Sequence, residues 1–359
     1  RSCTPACASP AAAAITLRHP ATNTTVTFCA QVDWNVDPAA ALRRSFIEPS
    51  ETDAYRVIHG AADGWPEWYV DRLGSFLLSQ AEAPLTRPQQ AALAGWMTAL
   101  DARGVYHKRR SRHVRESAPD DVAPRLAFGE AAPAEFVVRE NGLRFGLRLD
   151  EGYSVGLFLD QRDNRRRLLT GHIASGFPVF PASAQGCEVL NLFAYTCAFS
   201  VAAARAGARV TSIDVSRKYL AWGQRNFLLN QIDPAAHDFI YGDVFDWLRR
   251  LRKRGRQFDL VIVDPPTFST TKTGGRFRAE ADWPRLAQAA LAALKPGGRL
   301  FASTNAARLT PARFLDQLAT AIEEARRQSL TRHYAPQPPD FPACRSEPAH
   351  FKSVWIQID

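Results

Sequence analysis

From Glu188 onward the chain alternates short apolar runs with amphipathic segments of helical length, which restricts the fold to a parallel sheet flanked by helices. Glu188 to Phe193 reads as a strand and Ala198 to Ala206 as a helix; Val210 to Ile213 and Ser216 to Asn230 repeat the pair. Phe239 to Tyr241 precedes a helix over Val244 to Arg254. Phe258 to Val263, with the apolar run Leu260-Val261-Ile262-Val263, precedes a helix over Trp283 to Leu294. Gly297-Gly298 turns into a strand at Arg299 to Ser303, then a helix over Pro311 to Arg327. Val354 to Ile358 reads as the last strand. Crossovers of this length place helices on both faces of the sheet.

The upstream part has a different rhythm. Tyr55 to His59 and Phe76 to Ser79 read as short strands, punctuated at Asp63-Gly64 and at Asp71 to Gly74. Pro88 to Arg103 reads as an amphipathic helix, with Leu93, Trp96, Met97 and Leu100 on its apolar side. Asn141-Gly142, between two apolar runs, is a strong hairpin signal. At 359 residues the chain exceeds one typical domain. The expected division is a flexible or transit-like segment over 1–50, a smaller accessory α/β domain over 51–150, and the strand–helix alternation over 151–359. The chain opens at Arg1 rather than Met, as a trimmed or partial protein would, and has no acidic residue before Asp33.

Composition narrows the function classes. No apolar stretch is long enough to span a bilayer. The net charge of +9, carried mostly by arginine, suits a polyanionic partner. The six cysteines show no paired metal spacing and read as reduced thiols, so no metal and no disulfide framework are expected. The expected location is cytoplasmic, with plastid or mitochondrion as the alternative if the first segment is a transit peptide.

Function is read at the carboxyl ends of the strands, where open α/β sheets bind ligands. The first strand of the alternation ends in Asn191-Leu192-Phe193-Ala194-Tyr195-Thr196-Cys197 and runs straight into a helix. Asp214 ends the second strand, where an acidic side chain accepts from ribose hydroxyls. Asp243, followed by Val244, ends the third and suits an exocyclic adenine amine. Each aspartate alone also fits a helix cap. The fourth strand stops at Asp264-Pro265-Pro266, a rigid polar turn suited to a planar nitrogenous ring. A pyrophosphate needs the close approach that a glycine-rich turn allows, and Ala194 to Ala198 contain no glycine. A phosphate-free cofactor, S-adenosylmethionine, fits this turn better than NAD.

The stretches NLFAYTCAFSVAAARAGA, VTSIDVS, YGDVFDWL, VDPPTFS and YSVGLFLDQRDNR resemble the bacterial large-subunit rRNA methyltransferases I and K/L, over roughly Asp53 to Asp359. The resemblance implies an S-adenosylmethionine-dependent rRNA methyltransferase of the class I, Rossmann-like fold, with a mostly parallel seven-stranded sheet. By position, Phe193 to Cys197 would line the methionine end, Asp214 the ribose and Asp243 the adenine, while Asp264 and Pro265 would border the substrate base. The segment Tyr153 to Arg162, including Phe158 and Gln161, resembles the part that closes over the cofactor. The family usually has glycine where Cys197 stands.

Some members of that family methylate cytosine C5, a poor nucleophile that needs a cysteine added at C6. The positions after the fourth and fifth strands read Pro266-Thr267 and Ser303-Thr304-Asn305, without a thiol. The expected acceptor is therefore a nitrogen such as guanine N7, with Asp264 and Asn305 orienting the base. Cytosine C5, a protein amide or small molecule, and a non-catalytic RNA-binding role are the alternatives. Three basic clusters are candidates for RNA phosphates: Lys108 to Arg115, Arg162 with Arg165 to Arg167, and Lys272 with Arg276 and Arg278. Arg249 to Arg256 reads as a solvated helix end.

Overall fold

The computed structural model describes residues 12–18, 25–31, 38–110, 123–151, 154–270 and 276–359. It forms two compact units, Arg1–Ile47 and Glu48–Asp359. In the first, β1 (Ala12–Arg18) pairs antiparallel with β2 (Thr25–Gln31), and α1 (Pro38–Arg44) follows. The stretch expected to be flexible or transit-like therefore contains a hairpin and a helix.

The second unit opens with a five-stranded sheet in the order β3 (Ala54–His59), β4 (Tyr69–Leu73), β5 (Phe76–Ala81), β6 (Gly104–Arg109), β7 (Arg125–Gly129). Its one parallel pair, β5 with β6, is bridged by α2 (Arg87–Ala99). Thr86 and Gln89 form a capping box at the start of α2. The helix stops short of Arg103 because Asp101, at φ 50°, turns the chain into β6. The expected turn at Asp71 is instead strand, since Arg56 neutralises that carboxylate at 2.5 Å. The hairpin of β8 (Phe136–Glu140) and β9 (Leu143–Leu147) is as expected: Asn141 and Gly142 both take positive φ, the mirrored turn that matches strand twist.

After α3 (Arg162–Thr170) and the short pair β10 (His172–Ala174) and β11 (Phe177–Pro178), the alternation begins. It runs β12 (Glu188–Leu192), α4 (Ala198–Arg205), β13 (Arg209–Asp214), α5 (Arg217–Leu229), β14 (Asp238–Tyr241), α6 (Val244–Lys253), β15 (Phe258–Val263). A small ladder of β16 (Phe268–Thr270) with β17 (Arg276–Arg278) leads into α7 (Ala279–Leu291). Then come β18 (Leu294–Thr304), α8 (Pro311–Glu324), β19 (Ser329–Tyr334) and β20 (Lys352–Ile358). The order across the sheet is β14-β13-β12-β15-β18-β20-β19. The first five strands are parallel and β20 is antiparallel to both neighbours. Leu190, Val261 and Val263 join one buried cluster, while Val189, Leu260 and Ile262 join the other. Both faces are covered, as the unbroken apolar run of β15 requires.

Three features differ from expectation: β18 already begins at Leu294, so Gly297-Gly298 lie inside it rather than turning into it, the start of α7 shifts, and β19 is an added strand. α7 begins at Ala279 and carries Pro284 inside it; the carbonyl of Glu280, which that proline leaves without a donor, accepts from Gln317 Nε2 at 3.3 Å instead. β19 had no sequence signal, because its residues are nearly all exposed at the sheet edge and show no apolar alternation.

Two acidic residues of the Pro-rich loop before β20 fasten the five-stranded sheet. Asp340, fully buried, accepts from Arg56 N at 2.9 Å and from both Arg162 terminal nitrogens at 2.7 Å. Glu347 accepts from the backbone amides of Ala61 and Glu67 and from the Tyr69 hydroxyl. Among the described residues no helix is long and apolar enough to cross a membrane, and no acid, histidine or cysteine group has a metal-binding arrangement.

Candidate active site

The turn from β12 into α4 is backbone-strained in a way the sequence only hints at. Phe193, Tyr195 and Cys197 all take left-handed φ, 57°, 49° and 61°, without one glycine among them. Each such residue costs on the order of 1–2 kcal/mol and persists only where its surroundings hold it. Here the hold is visible. Asp214, at the carboxyl end of β13, accepts from Tyr195 N at 2.9 Å and from Ser216 N at 2.8 Å. Burial pushes its carboxyl up, and the backbone donors oppose the shift. Cys197 is fully buried, and its thiol is pushed up to about 12 by that burial. Room for the thiol comes from α5: a Cβ on Gly223 would lie 2.4 Å from Cys197 Sγ. The glycine the turn lacks is thus compensated on the neighbouring helix.

The closing segment docks on the same turn. Thr196 Oγ1 donates to Gly156 O at 2.6 Å, and Tyr195 Oη donates to Ser154 O at 3.3 Å. Phe158, exposed at the rim, stands 5.3 Å from the Tyr195 ring, which meets Tyr219 edge-on at 4.5 Å. Behind the turn, Asn191 Nδ2 donates to Ser200 Oγ, which shares a hydrogen bond with Ser212. Asp243 caps α6, accepting from Asp246 N at 3.1 Å, and Val244 is buried at the first helical position.

The other half of the site lies beyond β15 and β18. Asp264 Oδ1 accepts from Ser303 Oγ at 2.5 Å, and Ser303 Oγ in turn accepts from Gln161 Nε2 at 3.1 Å. Gln161 Oε1 accepts from Asn164 Nδ2, which ties this floor to Ser353 of β20. Burial first, then the nearby Asp160 charge, pushes the Asp264 carboxyl up to about 6 against the pull of Ser303. Asn305 Nδ2 donates to Asp160 Oδ2 at 3.4 Å. Pro265 is buried and Pro266 half-buried beside them.

The structure thus gathers Phe158, Gln161, Asn191, Phe193, Tyr195, Thr196, Asp214, Asp264 and Asn305 around the carboxyl ends of four adjacent strands, β13, β12, β15 and β18, with Asp243 and Val244 after β14, the next strand out. Asp160 and Ser303 belong to the same constellation and were not singled out, although both lie inside quoted stretches. One expectation needs correction: Arg162 and Arg165 do not face RNA phosphates. Their residues are 4% and 2% exposed, with Arg162 forked onto Asp340 and Arg165 onto Glu140 at 2.6 and 2.7 Å. Arg165 also donates to Phe158 O, bracing the closing segment. Arg167 reaches Asn164 and Ile173, which leaves Arg166 exposed. Arg109, Arg110 and Arg278 are exposed, while Arg112, His113, Arg115, Tyr153 and Lys272 lie outside the described residues.

Residues fit an adenosine cofactor that carries no phosphate. The αL turn offers no glycine nest for a pyrophosphate. Each Asp214 oxygen retains a second lone pair for a hydroxyl.

A family model of S-adenosylmethionine-dependent methyltransferases matches residues 55–355. A ribosomal RNA large subunit methyltransferase of Deinococcus radiodurans is 32% identical over 333 residues, covering 90% of this chain and 78% of that protein. Ribosomal RNA large subunit methyltransferase I of Escherichia coli is 29% identical, over 88% of this chain and 80% of its own. Among solved structures, SMU.776, described as a candidate methyltransferase complexed with SAH, is similar with a TM-score of 0.73 at 29% identity, covering 89% of this chain and 79% of that one.

Proposed function

The chain belongs to the S-adenosylmethionine-dependent methyltransferase family, and from that premise we propose that it methylates a base of large-subunit ribosomal RNA at a nitrogen, guanine N7 in the first instance, without a covalent enzyme–RNA intermediate. The cofactor supplies an electrophilic methyl on a sulfonium. Phe158 and the turn Phe193 to Thr196 would hold its methionine end, Asp214 its ribose, and Asp243 with Val244 its adenine. Gln161, Asn191 and Arg162 would serve from behind, since all three are buried and engaged with protein partners.

One observation carries the choice of nitrogen. Beside Asp264 the described residues present Ser303, Gln161, Asp160 and Asn305, and no thiol. Cys197 is sealed in the core with its thiol held neutral, and Cys344 sits on the loop before β20 beside Ser346. A ring nitrogen with a free lone pair needs no covalent activation; alignment supplies most of the rate. Asp264 and Asn305 orient the base, and Pro265-Pro266 keep that edge rigid. The exposed Arg110, Arg166 and Arg278 offer charge for phosphate contacts.

The test is nucleoside mass spectrometry of ribosomal RNA from a strain lacking the gene, with and without complementation. One methylated purine lost and restored is expected. Recovery of 5-methylcytidine, or a covalent RNA adduct trapped on Cys344 or Cys197, would overturn the nitrogen assignment. RNA affinity should fall steeply between low and moderate salt, and a flat profile would remove the phosphate contacts from the proposal.

A further inference from the structure

Asp160 has no role in the reading above. It closes the segment that docks on the β12 turn, keeps accessible surface, and meets Asn305 across 145 residues of sequence. Asn305 is itself held. Lys352, buried at the start of β20 and opposite Thr304 in the ladder, donates through Nζ to Ala306 O at 2.9 Å and to His350 O at 2.6 Å. A buried ammonium bonded to carbonyls fixes the stretch that begins at Asn305. Most donors of the floor are committed to protein oxygens: Gln161 Nε2 to Ser303, Asn164 Nδ2 to both Gln161 and Ser353, Ser303 Oγ to Asp264, and Asn305 Nδ2 to Asp160. The floor therefore offers a ligand mainly acceptors, the carboxylate oxygens of Asp160 and Asp264 and the amide oxygen of Asn305.

We propose that Asp160, braced by Asn305, is the residue that selects the substrate base, accepting from the adjacent ring N–H and exocyclic amine of a guanine turned out of its stack. Guanine alone among the standard RNA bases places an imino and an amino donor side by side, a match for two carboxylate oxygens. Adenine and cytosine set a ring lone pair beside their amine, against the carboxylate. Uracil flanks its single N–H with carbonyls. Gripping guanine by that edge leaves the opposite edge, with N7, open. This inference rests on the RNA-methylating reading above, and an enzyme of this kind gains access to its base by extruding it.

The experiment uses the full chain, deproteinised bacterial large-subunit rRNA, and tritiated S-adenosylmethionine, with S-adenosylhomocysteine as the calorimetric probe of the cofactor half. Wild type should label guanosine. Asp160→Asn, which turns one acceptor into a donor, should bind S-adenosylhomocysteine as wild type does and lose about 10- to 100-fold in kcat/KM on RNA, the worth of one bidentate base contact. Label on adenosine or uridine, or wild-type kcat/KM in Asp160→Asn, overturns this inference and leaves the RNA reading standing, while label recovered as 5-methylcytidine overturns the nitrogen assignment with it. Wild type that binds the probe and labels no RNA overturns the RNA reading and this inference with it. The identity of the labelled base needs no variant, so a misfolded Asp160→Asn leaves that arm decisive.

Discussion

The two halves of the strand-end site are built by opposite means. On the β12–β13–β14 side the carboxylates are tied to backbone close by in sequence: Asp214 to Ser216 two residues on and Tyr195 nineteen back, Asp243 to Asp246 three on. On the β15–β18 side the contacts join side chains that are distant in sequence, Gln161 to Ser303 over 142 residues and Asp160 to Asn305 over 145. A locally tied half can form with its own βα units. A half assembled from distant side chains exists only once the whole sheet is in place. The difference should show in how the two respond to substitution.

The largest effect is expected at Asp264. Removing a preorganised polar group at the reacting base costs about 100- to 1,000-fold in rate, so Asp264→Asn should lose methyl transfer while S-adenosylhomocysteine binding, measured by calorimetry, stays unchanged. Loss of both would erase the division between the halves. The same residue gives a pH signature. Its folded-state carboxyl is raised to about 6, against about 3.9 in an unfolded chain. Where ionised Asp264 is required, kcat/KM should climb with pH through about 6 and level off above it. Stability has the opposite sign: between those two values the folded chain holds the extra proton, so Asp264 favours folding at low pH and progressively less as pH rises through about 6. Asp264→Asn should therefore melt a few degrees higher than wild type at pH 8, read by thermal unfolding.

Asp214→Ala comes next. It removes the acceptor of the Tyr195 amide, at the centre of the left-handed turn, and of the Ser216 amide at the head of α5, a loss of about 1–3 kcal/mol for the buried donors. Calorimetry should show weakened S-adenosylhomocysteine binding, and unchanged affinity would detach Asp214 from the cofactor half. Gly223→Ala should cost about 1–3 kcal/mol by overpacking against Cys197, and Cys197→Gly in the same chain should restore most of it in a denaturant titration. Additive losses would show that the glycine and the thiol are not a matched pair. The smallest effect is expected for Cys344→Ser, with methyl transfer unchanged; a dead variant would bring back a covalent mechanism.

The same contrast decides what could be read in advance. Asn141-Gly142, Ser216 before its helix, and the stop at Asp264-Pro265-Pro266 each act within a few residues of themselves, so the one-dimensional pattern holds their physics. Asp160 and Ser303 acquire meaning only when β18 and the closing segment meet. Arg162 and Arg165 show the cost of lacking that information. As sequence they look like a basic patch, yet their counter-charges, Asp340 and Glu140, come from a late loop and an upstream hairpin. β19 was invisible for a different reason: an exposed edge strand has one neighbour and no need of apolar alternation.

The position of β20 sets the timing of assembly. It is the last strand in chain order, yet it lies inside the sheet, between β18 and β19. A ribosome making this protein has produced the other six strands of this sheet before the piece that joins two of them exists. Until Lys352 to Ile358 emerge, β18 is an open edge, β19 has no ladder, and the stretch that Lys352 anchors at Ala306 hangs free. Closure of this sheet thus waits on β20, and a chain cut before Lys352 would present an apolar strand edge of the kind that aggregates.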